Sequence, residues 1–271
     1  MNYESILCSQ DGNVLTITLN RPQVLNAMHD ALKEELREAI EKAAADEEVR
    51  SIVLTGTGKS FSTGNDMTDA MQHLVKGLEG QRKRLQKEMA FACLFWDSPK
   101  PIIAAVNGFC LGSACEMALA CDITIAAESA TFGVPEIRQS SGAIMLVEPW
   151  IMGLKNVKEL LFTGDTINAR EAERIGMVNH VVADPKLMEE TYRMAKKIAL
   201  VPAYAVQLAK LSLNRTFEIM GFRNGMLQNT ELMAMLHVTD TPERVWFREL
   251  VKEKGMKEAL KARADKFKGL D

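Results

Sequence analysis

Two of the glutamates in the apolar stretch of residues 101–136, Glu116 and Glu136, are candidates for chemistry. Glu116 follows a glycine-bearing turn and has Ala, Cys, Met and Leu neighbours, and Glu136 comes directly after Pro135. Glutamate is seldom fully buried unless it is paired, and an apolar environment raises the pKa of a carboxyl group. A carboxyl whose pKa is close to neutrality is suited to proton transfer. The two residues are therefore a candidate acid/base pair.

Each glutamate also has an ordinary structural interpretation. Glu116 could be a carboxylate near a helix N-terminus that accepts hydrogen bonds from local backbone N–H groups, which the helix dipole favours. Glu136 could be a loop carboxylate beside a proline. The catalytic interpretations support each other, because an apolar helix and the loop after it can bring two carboxylates to one pocket.

Two glycine-containing turns each follow a predicted buried strand. Thr63-Gly64-Asn65 comes after residues 51–55, and residues 108–113 come after residues 102–106. A backbone N–H at such a turn, close to a helix start, can donate to an oxyanion. Two donors would form a hole for an enolate-like oxygen. A plain strand-to-helix turn is the commoner use of glycine, so the spacing alone leaves both interpretations open.

The elements that position these groups alternate between strand and helix. Residues 3–9 and 14–19 flank Asp11-Gly12-Asn13, which predicts a β-hairpin. Apolar periodicity then predicts helices over residues 29–45 and 81–96, and buried strands over residues 51–55, 102–106 and 123–127. A mobile helix-and-loop segment with Met71 and His73 is expected over residues 68–80. This order indicates a mixed α/β core whose helices are crossovers.

The second half of the chain is predicted to be mainly helical. Residues 166–175 predict a helix with Asn168 near its start, and residues 178–182 predict a short extended segment. From Lys186 onward we expect four or five helices and no strand. A helical appendage often serves assembly, because its apolar faces need a surface to cover. We therefore divide the chain into an α/β core, residues 1–200, and a C-terminal helical oligomerisation region, residues 201–271.

Composition and charge narrow the function classes. The 271 residues are 47% hydrophobic and 25% charged, which is typical of a globular protein. A net charge of −3 gives no reason to expect nucleic acid or an anionic membrane as a partner. The five cysteines form no C-x-x-C pair and the four histidines lie far apart, so no metal site is predicted. With no signal segment and no membrane-length apolar run, we expect a cytoplasmic protein.

One motif resembles a nucleotide site only in part. Gly58-Lys59-Ser60 is similar to the end of a phosphate-binding P-loop, but the position that needs the earlier glycine is Val53. We interpret Gly58-Lys59 as a solvated turn.

Several segments together resemble the crotonase superfamily of enoyl-CoA hydratases and isomerases over nearly the whole chain. The segments are Asn20-Arg21-Pro22, Leu25-Asn26-Ala27, residues 52–56, residues 61–67, Lys100-Pro101, residues 104–108, residues 112–116, residues 121–123, residues 132–137, Thr163-Gly164 and residues 169–176. In combination they are specific, although no single one would be.

The resemblance implies an α/β fold, a crotonase-like spiral of ββα units with a C-terminal helical trimerisation region. A homotrimer or a dimer of trimers is then expected. The implied substrate is an acyl-CoA thioester, with coenzyme A as part of the substrate and no other cofactor. By the same resemblance, the backbone N–H groups of Asn65 and Ser113 form the oxyanion hole. Further substrate contacts are implied at Leu25, Ala27, Thr63, Gly64, Asn65, Asp66, Met67, Thr68, Gly112 and Ser113.

The hydratase branch of that superfamily carries two glutamates, and their counterparts are Glu116 and Glu136. The resemblance thus implies hydration of a 2-enoyl-CoA to a 3-hydroxyacyl-CoA, with Glu116 activating the water and Glu136 exchanging a proton at Cα. One alternative is an enoyl-CoA isomerase or another crotonase-type acyl-CoA lyase or hydrolase. A non-catalytic acyl-CoA-binding protein is a further alternative.

Four features of the sequence depart from the usual hydratase pattern. Ser113 replaces a glycine, so strain is expected there if the backbone needs a positive φ. Gly64-Asn65-Asp66 looks more like the isomerases. The lysine often found near the CoA phosphates is absent at Thr68 and Asp69. Contacts to CoA are instead expected from Lys59, Arg82, Arg84 or the C-terminal lysines. The segment after Glu136 looks shorter and lacks the Gly-rich run of the hydratases.

Overall fold

The computed structural model describes residues 3–72 and 75–270, with the side chains of residues 70–72 left out. His73 of the predicted helix-and-loop segment therefore lies outside the described residues. The strands are β1 (Ile6–Asp11), β2 (Val14–Leu19), β3 (Ser51–Gly56), β4 (Ser60–Ser62), β5 (Ile102–Val106), β6 (Phe109–Leu111), β7 (Ile123–Ala127), β8 (Thr131–Gly133), β9 (Thr166–Asn168) and β10 (His180–Val182). The helices are α1 (Asp30–Ala45), α2 (Met67–Gln72), α3 (Gly77–Asp97), α4 (Ser113–Ala120), α5 (Glu148–Ile151), α6 (Leu154–Thr163), α7 (Ala169–Arg174), α8 (Leu187–Ala199), α9 (Ala203–Ile219), α10 (Phe222–Val238) and α11 (Pro242–Ala264).

The strands form two sheets. The larger has the order β1-β2-β3-β5-β7-β10, antiparallel at the hairpin and parallel elsewhere. The smaller has the order β4-β6-β8-β9, with β9 antiparallel to β8. The pairs β3–β4, β5–β6 and β7–β8 each place one strand in each sheet before the chain enters a helical segment. This repeated strand–strand–helix unit is the predicted α/β spiral.

The hairpin and the central strands follow from local sequence. Gly12 takes φ +57° in the turn between β1 and β2, a conformation that glycine adopts without a Cβ penalty. The strand β5 is buried at every residue, as expected for an apolar run inside a mainly parallel sheet. Helix α1 begins at the predicted place, where His29 Nδ1 accepts a hydrogen bond from the Leu32 N–H.

Four short strands were not predicted. The loop expected after residue 55 contains β4, and the turn expected over residues 108–113 contains β6. The strand β8 is also additional. The helix predicted over residues 166–175 is wrong for its first three residues, which form β9. Helix α7 begins at Ala169, and the side chain of the preceding Asn168 caps it by accepting a hydrogen bond from the Glu171 N–H. Three-residue strands are too short to show a period of two, so only their pairing partners reveal them.

The C-terminal region consists of α8 to α11, as predicted, with α11 sharply kinked at Gly255 (φ +80°, ψ 165°). We call residues 256–270 the C-terminal arm. The arm turns back onto the short 3₁₀ helix Pro135–Gln139, which we call the Glu136 turn, and the Arg138 guanidinium lies 3.8 Å from the Phe267 ring centroid. None of the described helices is both long and apolar enough to cross a bilayer. The division of the chain at residue 200 stays a prediction.

Candidate active site

Glu116 is almost completely buried in the first turn of α4, where its side chain is 3% exposed. Its carboxylate accepts three backbone hydrogen bonds, from the N–H groups of Ile144 (3.0 Å), Met145 (2.6 Å) and Leu146 (2.9 Å). These three residues are the 144–146 loop. The donors are therefore far from Glu116 in sequence, rather than the local N–H groups that the structural interpretation invoked. The carboxylate is held in one orientation by the loop that follows the Glu136 turn.

The surroundings of Glu116 move its pKa toward neutrality. Burial raises the pKa to about 7, and the charge of Glu88 acts in the same direction. The three N–H donors of the 144–146 loop oppose this, because hydrogen bonds to a carboxylate favour its ionised form. A buried carboxyl with this pKa can gain or lose a proton at physiological pH, as the sequence predicts.

Glu136 meets Glu116 at the start of α4. A Cβ atom on Gly112 would overlap Glu136 Oε1, so the Glu136 carboxyl lies directly against the Gly112 backbone. Its other oxygen, Oε2, is buried without a hydrogen-bond partner. Burial, followed by the charge of Glu116, raises the pKa of Glu136 to about 8, while the N–H of Ser113 and the charge of Arg263 act in the opposite direction. The fold thus brings the two predicted carboxyls together.

The turn at Gly64 approaches the same place. A Cβ on Gly64 would lie 2.8 Å from Leu111 O and 3.1 Å from Ser113 N. Asn65 forms an isolated β-bridge with Met28, and the Met28 N–H donates to Gly64 O at 2.8 Å. Among the described residues, the Asn65 N–H has no hydrogen-bond acceptor. The two backbone N–H groups predicted to form an oxyanion hole therefore belong to turns in contact with each other.

The strain expected at Ser113 does not arise. The positive φ angles fall on the glycines, at +59° for Gly112 and +87° for Gly64. Ser113 is the first residue of α4 and is absent from the described non-glycine residues with positive φ, which are Leu25, Asn26, Ser140 and Leu146. The side chain after the glycine is therefore compatible with this turn.

Of the residues predicted to contact substrate, Asn65 and Asp66 line a cleft, and hydrogen bonds connect others to these two turns. The Thr63 N–H donates to Leu25 O at 3.2 Å, and Arg21 joins Ala27 O to the Asp66 carboxylate. Helix α2 begins at Met67, and the Thr68 N–H donates to Asp66 Oδ1 at 3.1 Å. The adjoining cleft has a volume of about 760 Å³ and is lined by Asn65, Asp66 and residues of α1 and α3.

The cleft has basic residues, only one of which was predicted. Its lining includes Lys33, Arg37, Lys83, Arg84 and Lys87, together with Asp30, Glu34, Asp66, Asp69 and Glu88. Lys33 is already paired with Glu88 at 2.7 Å. Of the expected CoA contacts, Arg84 lines the cleft, whereas Arg82 pairs with Glu231 at 2.7 Å and Lys59 lies outside the described lining.

A third carboxyl of the site escaped sequence reasoning. Glu148 begins α5, is fully buried, and both its carboxyl oxygens are without a hydrogen-bond partner in the described residues. Burial and the charges of Glu116 and Glu136 raise the pKa of Glu148 well above its usual value. The signal was present in the sequence, because Glu148 stands alone in the apolar run of residues 143–152, just as Glu116 stands in its own.

A polar chain connects the cleft to the Glu136 turn. Arg84 Nη2 lies 2.9 Å from His237 Nδ1, and His237 Nε2 lies 2.8 Å from Ser141 Oγ. Burial and the neighbouring Arg84 lower the pKa of His237 to about 4. Because arginine can only donate, Nδ1 is the acceptor, and the neutral ring donates from Nε2 to the Ser141 hydroxyl. This histidine therefore orients the segment after Glu136 and takes no proton from Ser141.

Unsatisfied polar atoms concentrate around the two carboxyls. Native proteins leave few buried polar atoms without a partner, and such atoms call for an explanation. The described buried atoms without a partner include Asn65 Oδ1, Ser113 Oγ, Glu136 Oε2, Glu148 Oε1, Glu148 Oε2 and Arg263 Nη1. No group of three or more His, Cys, Asp or Glu side chains in the described part of the chain could hold a metal ion. The two buried carboxyls have the chemistry that proton transfer requires.

Comparison with known proteins identifies the class. Residues 9–260 match the family model described as Enoyl-CoA hydratase/isomerase. A probable enoyl-CoA hydratase of Rhizobium meliloti is 39% identical over 81% of this chain and 84% of its own length. A short-chain-enoyl-CoA hydratase of Clostridium acetobutylicum is 37% identical over 79% of this chain and 83% of its own length.

A solved structure agrees over the whole fold. The crystal structure of an enoyl-CoA hydratase/isomerase from Xanthobacter autotrophicus Py2 has a TM-score of 0.94 and 37% identity, and the match covers 98% of this chain and 99% of that one. This chain belongs to the enoyl-CoA hydratase/isomerase family and is an enzyme of that family.

Proposed function

We propose that the protein hydrates a 2-enoyl-CoA thioester to a 3-hydroxyacyl-CoA, with Glu116 and Glu136 as the acid/base pair. The observation that carries this proposal is the meeting of two buried carboxyls, with pKa values of about 7 and about 8, at the start of α4. Relatives named as enoyl-CoA hydratases support the reaction class. The acyl-CoA substrate brings its own coenzyme A, and the reaction needs no other cofactor.

The different environments of Glu116 and Glu136 support a different role for each in this proposal. Three N–H donors stabilise the Glu116 carboxylate, so Glu116 is the ionised base that removes a proton from the attacking water. Glu136 has the higher pKa and is the protonated acid that delivers a proton to Cα. The hydroxyl is added to Cβ and the proton to Cα, which together add one water molecule. The carboxyls return to their starting states by proton exchange.

The thioester oxygen becomes negative while the new bond forms at Cβ. In the proposal, the backbone N–H groups of Asn65 and Ser113 donate to that oxygen. Each such donor is typically worth about 3–4 kcal/mol in the transition state. The contact between the Gly64 turn and Ser113 N supports a shared hole. The cleft that begins at Asn65 would then hold CoA, with Arg37, Lys83, Arg84 and Lys87 available to its phosphates.

The test replaces each carboxyl by its neutral isostere. We expect Glu116→Gln and Glu136→Gln each to lower kcat on a 2-enoyl-CoA by about 10²–10⁴, the usual contribution of a positioned acid or base. Binding of an acyl-CoA, measured by calorimetry, should persist in both. Glu41→Gln, at an exposed position of α1, is the control and should behave as the unchanged protein. Near-normal hydration by either active-site variant would rule out the two-acid assignment.

One observation favours a second candidate, an enoyl-CoA isomerase that uses one glutamate. Gly64-Asn65-Asp66 resembles the isomerases, and the Arg21–Asp66 ion pair at 3.0 Å fixes this turn. Assays of a 3-enoyl-CoA beside a 2-enoyl-CoA separate the two reactions, because only hydration consumes the conjugated double bond. Turnover of the 3-enoyl substrate alone would establish the isomerase. Binding of both thioesters without turnover of either would identify a binding protein instead.

A further inference from the structure

A side chain of helix α10 holds the loop that binds Glu116. Asn229 is buried in the middle of α10, and its side-chain amide nitrogen donates to Ala143 O at 2.8 Å and to Ile144 O at 2.9 Å. Both partners are carbonyl oxygens, which can only accept, so the nitrogen of the carboxamide is the atom that faces them. The two bonds span 86 and 85 residues of the sequence. Helix α10 therefore anchors the start of the 144–146 loop from a distant part of the chain.

The two anchored carbonyls belong to the same peptide groups that donate to Glu116. The peptide group with Ala143 O also contains the Ile144 N–H, which donates to Glu116 Oε2 at 3.0 Å. The next peptide group contains Ile144 O and the Met145 N–H, which donates to Glu116 Oε1 at 2.6 Å. Because a trans peptide is planar, holding its oxygen also aims the N–H on its other side. Hydrogen bonds at both ends of a peptide group polarise and strengthen each other.

Helix α10 gives Asn229 a fixed position. Met226 and Ala234 of this helix are buried, and Glu231 pairs with Arg82 of α3 at 2.7 Å. Asn229 lies outside the described lining of the cleft, so its amide is not one of the groups that face a bound ligand there. A buried amide costs stability unless its hydrogen bonds are made, and this one makes them to the loop of the proposed base.

Several charged groups face Glu116 besides these donors. Burial raises the pKa of Glu116, and the charge of Glu88 on α3, which pairs with Lys33 of α1 at 2.7 Å, adds to this effect. Glu136 and Glu148, the latter on α5, are further carboxyls whose interactions with Glu116 are repulsive. All of these favour the protonated form, and the three N–H donors oppose them. The position of the loop that supplies the donors therefore decides how readily Glu116 is ionised.

We propose that Asn229 is a positioning residue that orients the Glu116 carboxylate by holding the peptide groups of the 144–146 loop. This inference rests on the proposed function, in which Glu116 is the base. Without the amide, the two carbonyls lose their partner and the loop can turn its N–H groups away from Glu116. The carboxylate is then less stabilised and less well aimed at the attacking water.

The experiment removes the amide in two ways. Asn229→Leu keeps the approximate size of the side chain, and Asn229→Ala tests the same loss with a smaller one. We expect each to lower kcat on a 2-enoyl-CoA at least about tenfold, because misplacing a catalytic group by about 1 Å can cost about 10²-fold. KM should change little, because Asn229 does not line the described cleft. The limb of the pH–rate profile that disappears in Glu116→Gln should move to higher pH, because the carboxylate is less stabilised.

Asn214→Leu is the matched control. Asn214, on α9, also donates its side-chain amide to a distant carbonyl, Trp96 O at 2.8 Å, but that carbonyl belongs to α3 and not to the 144–146 loop. The control should lose stability and leave kcat and the pH–rate profile unchanged. Equal losses of kcat in Asn214→Leu and Asn229→Leu would show a general effect on packing and overturn the proposal.

A double-mutant cycle tests whether Asn229 acts through Glu116. In Glu116→Gln, the further change Asn229→Leu should lower the remaining kcat by less than about twofold, because residues that act as one unit are not additive. Independently of turnover, the ¹³C resonance of the Glu116 carboxyl, assigned with Glu116→Gln, should titrate at higher pH in both Asn229 variants. Full additivity in the cycle, or a titration that moves in neither variant, would overturn the proposal. Failure of the proposed function is distinguishable, because Glu116→Gln itself would then remain active.

Discussion

Three glutamates share one apolar site, and they differ in the hydrogen bonds that the backbone donates to their carboxyl groups. Glu116 has three N–H donors and a pKa of about 7. Glu136 has a pKa of about 8, because burial and the charge of Glu116 outweigh the backbone N–H groups of Glu136 itself and Ser113. Glu148 has no hydrogen-bond partner for either oxygen in the described residues, and burial raises its pKa well above its usual value. Different environments for like residues are how a single site holds a base and an acid at one pH.

The order of these pKa values predicts the pH dependence of hydration. In the proposed mechanism the active form has Glu116 ionised and Glu136 protonated, so kcat/KM should rise as pH increases through about 7 and fall through about 8. A narrow bell with its maximum between these values is expected. The two limbs are properties of the coupled pair, so each single variant should remove one limb and shift the other. A profile that is flat from pH 6 to pH 9 would contradict the assignment.

Glu148 should make the folded protein less stable as pH rises. The pKa of Glu148 is raised in the folded state. At pH values between the ordinary glutamate pKa of about 4.3 and this raised pKa, Glu148 is protonated in the folded protein and ionised in the unfolded chain. Stability is therefore lost with increasing pH across that window. Glu148→Gln should raise the free energy of unfolding measurably at pH 8 and have little effect at pH 4. Urea titrations at both pH values, with Glu41→Gln as control, would measure this. An equal effect at the two pH values would disprove it.

At the scale of elements, the turn into α4 positions the whole site. Gly112 has a positive φ and lies against the Glu136 carboxyl, while the turn at Gly64 touches Ser113. The backbone there must come close to a side chain, and only glycine allows that approach.

Gly112→Ala should therefore abolish most activity. The added Cβ displaces the Glu136 carboxyl, and we expect kcat to fall at least about a hundredfold, comparable to the loss of a positioned acid. Gly12→Ala is a matched control, because Gly12 has nearly the same φ, +57° against +59°, and nothing within 4 Å of its Cβ. Gly12→Ala should lose about 1–2 kcal/mol of stability from its positive φ, and Gly112→Ala should lose more, because ψ of −133° at this φ is a conformation adopted almost only by glycine. Activity equal to that of Gly12→Ala would contradict the steric argument.

Sequence alone predicted those parts of the site that depend on local pattern. The strand β5, the helix with Glu116 and the meeting of Glu116 with Glu136 follow from apolar periodicity, a lone carboxylate and a short connection. The 144–146 loop could not be predicted as the partner of Glu116, because its N–H groups have no residue-specific signal and act across some 30 residues.

At the scale of the molecule, the C-terminal helices leave large apolar side chains exposed. Within the single chain, Leu200 and Ile219 are each 87% exposed and Leu213 is 64% exposed. Further exposed residues on this side are Tyr204, Leu208, Leu211, Met220, Leu227, Leu232 and Met235. So extensive an apolar surface is typical of a protein interface. The oligomerisation region and the number of subunits both remain predictions.

We expect light scattering to give three or six chain masses, for a trimer or a dimer of trimers. Leu213→Glu combined with Ile219→Glu should yield smaller species, because two buried carboxylates without partners cost several kcal/mol per interface. Leu7→Glu, an equally simple change at a half-exposed position of β1, is the control and should leave the mass unchanged. A monomer in the unchanged protein would reject the assembly.

The hydrogen bonds of the 144–146 loop also provide a spectroscopic reporter. The amide protons of Ile144, Met145 and Leu146 donate to a carboxylate whose pKa is about 7, so their chemical shifts must follow the charge of Glu116. A ¹⁵N-labelled sample would therefore report the protonation state of the proposed base without substrate and without turnover. Binding of an inert acyl thioester would move the titration of these three amides together, and the size of that movement would measure how strongly the ligand and the proton on Glu116 are coupled.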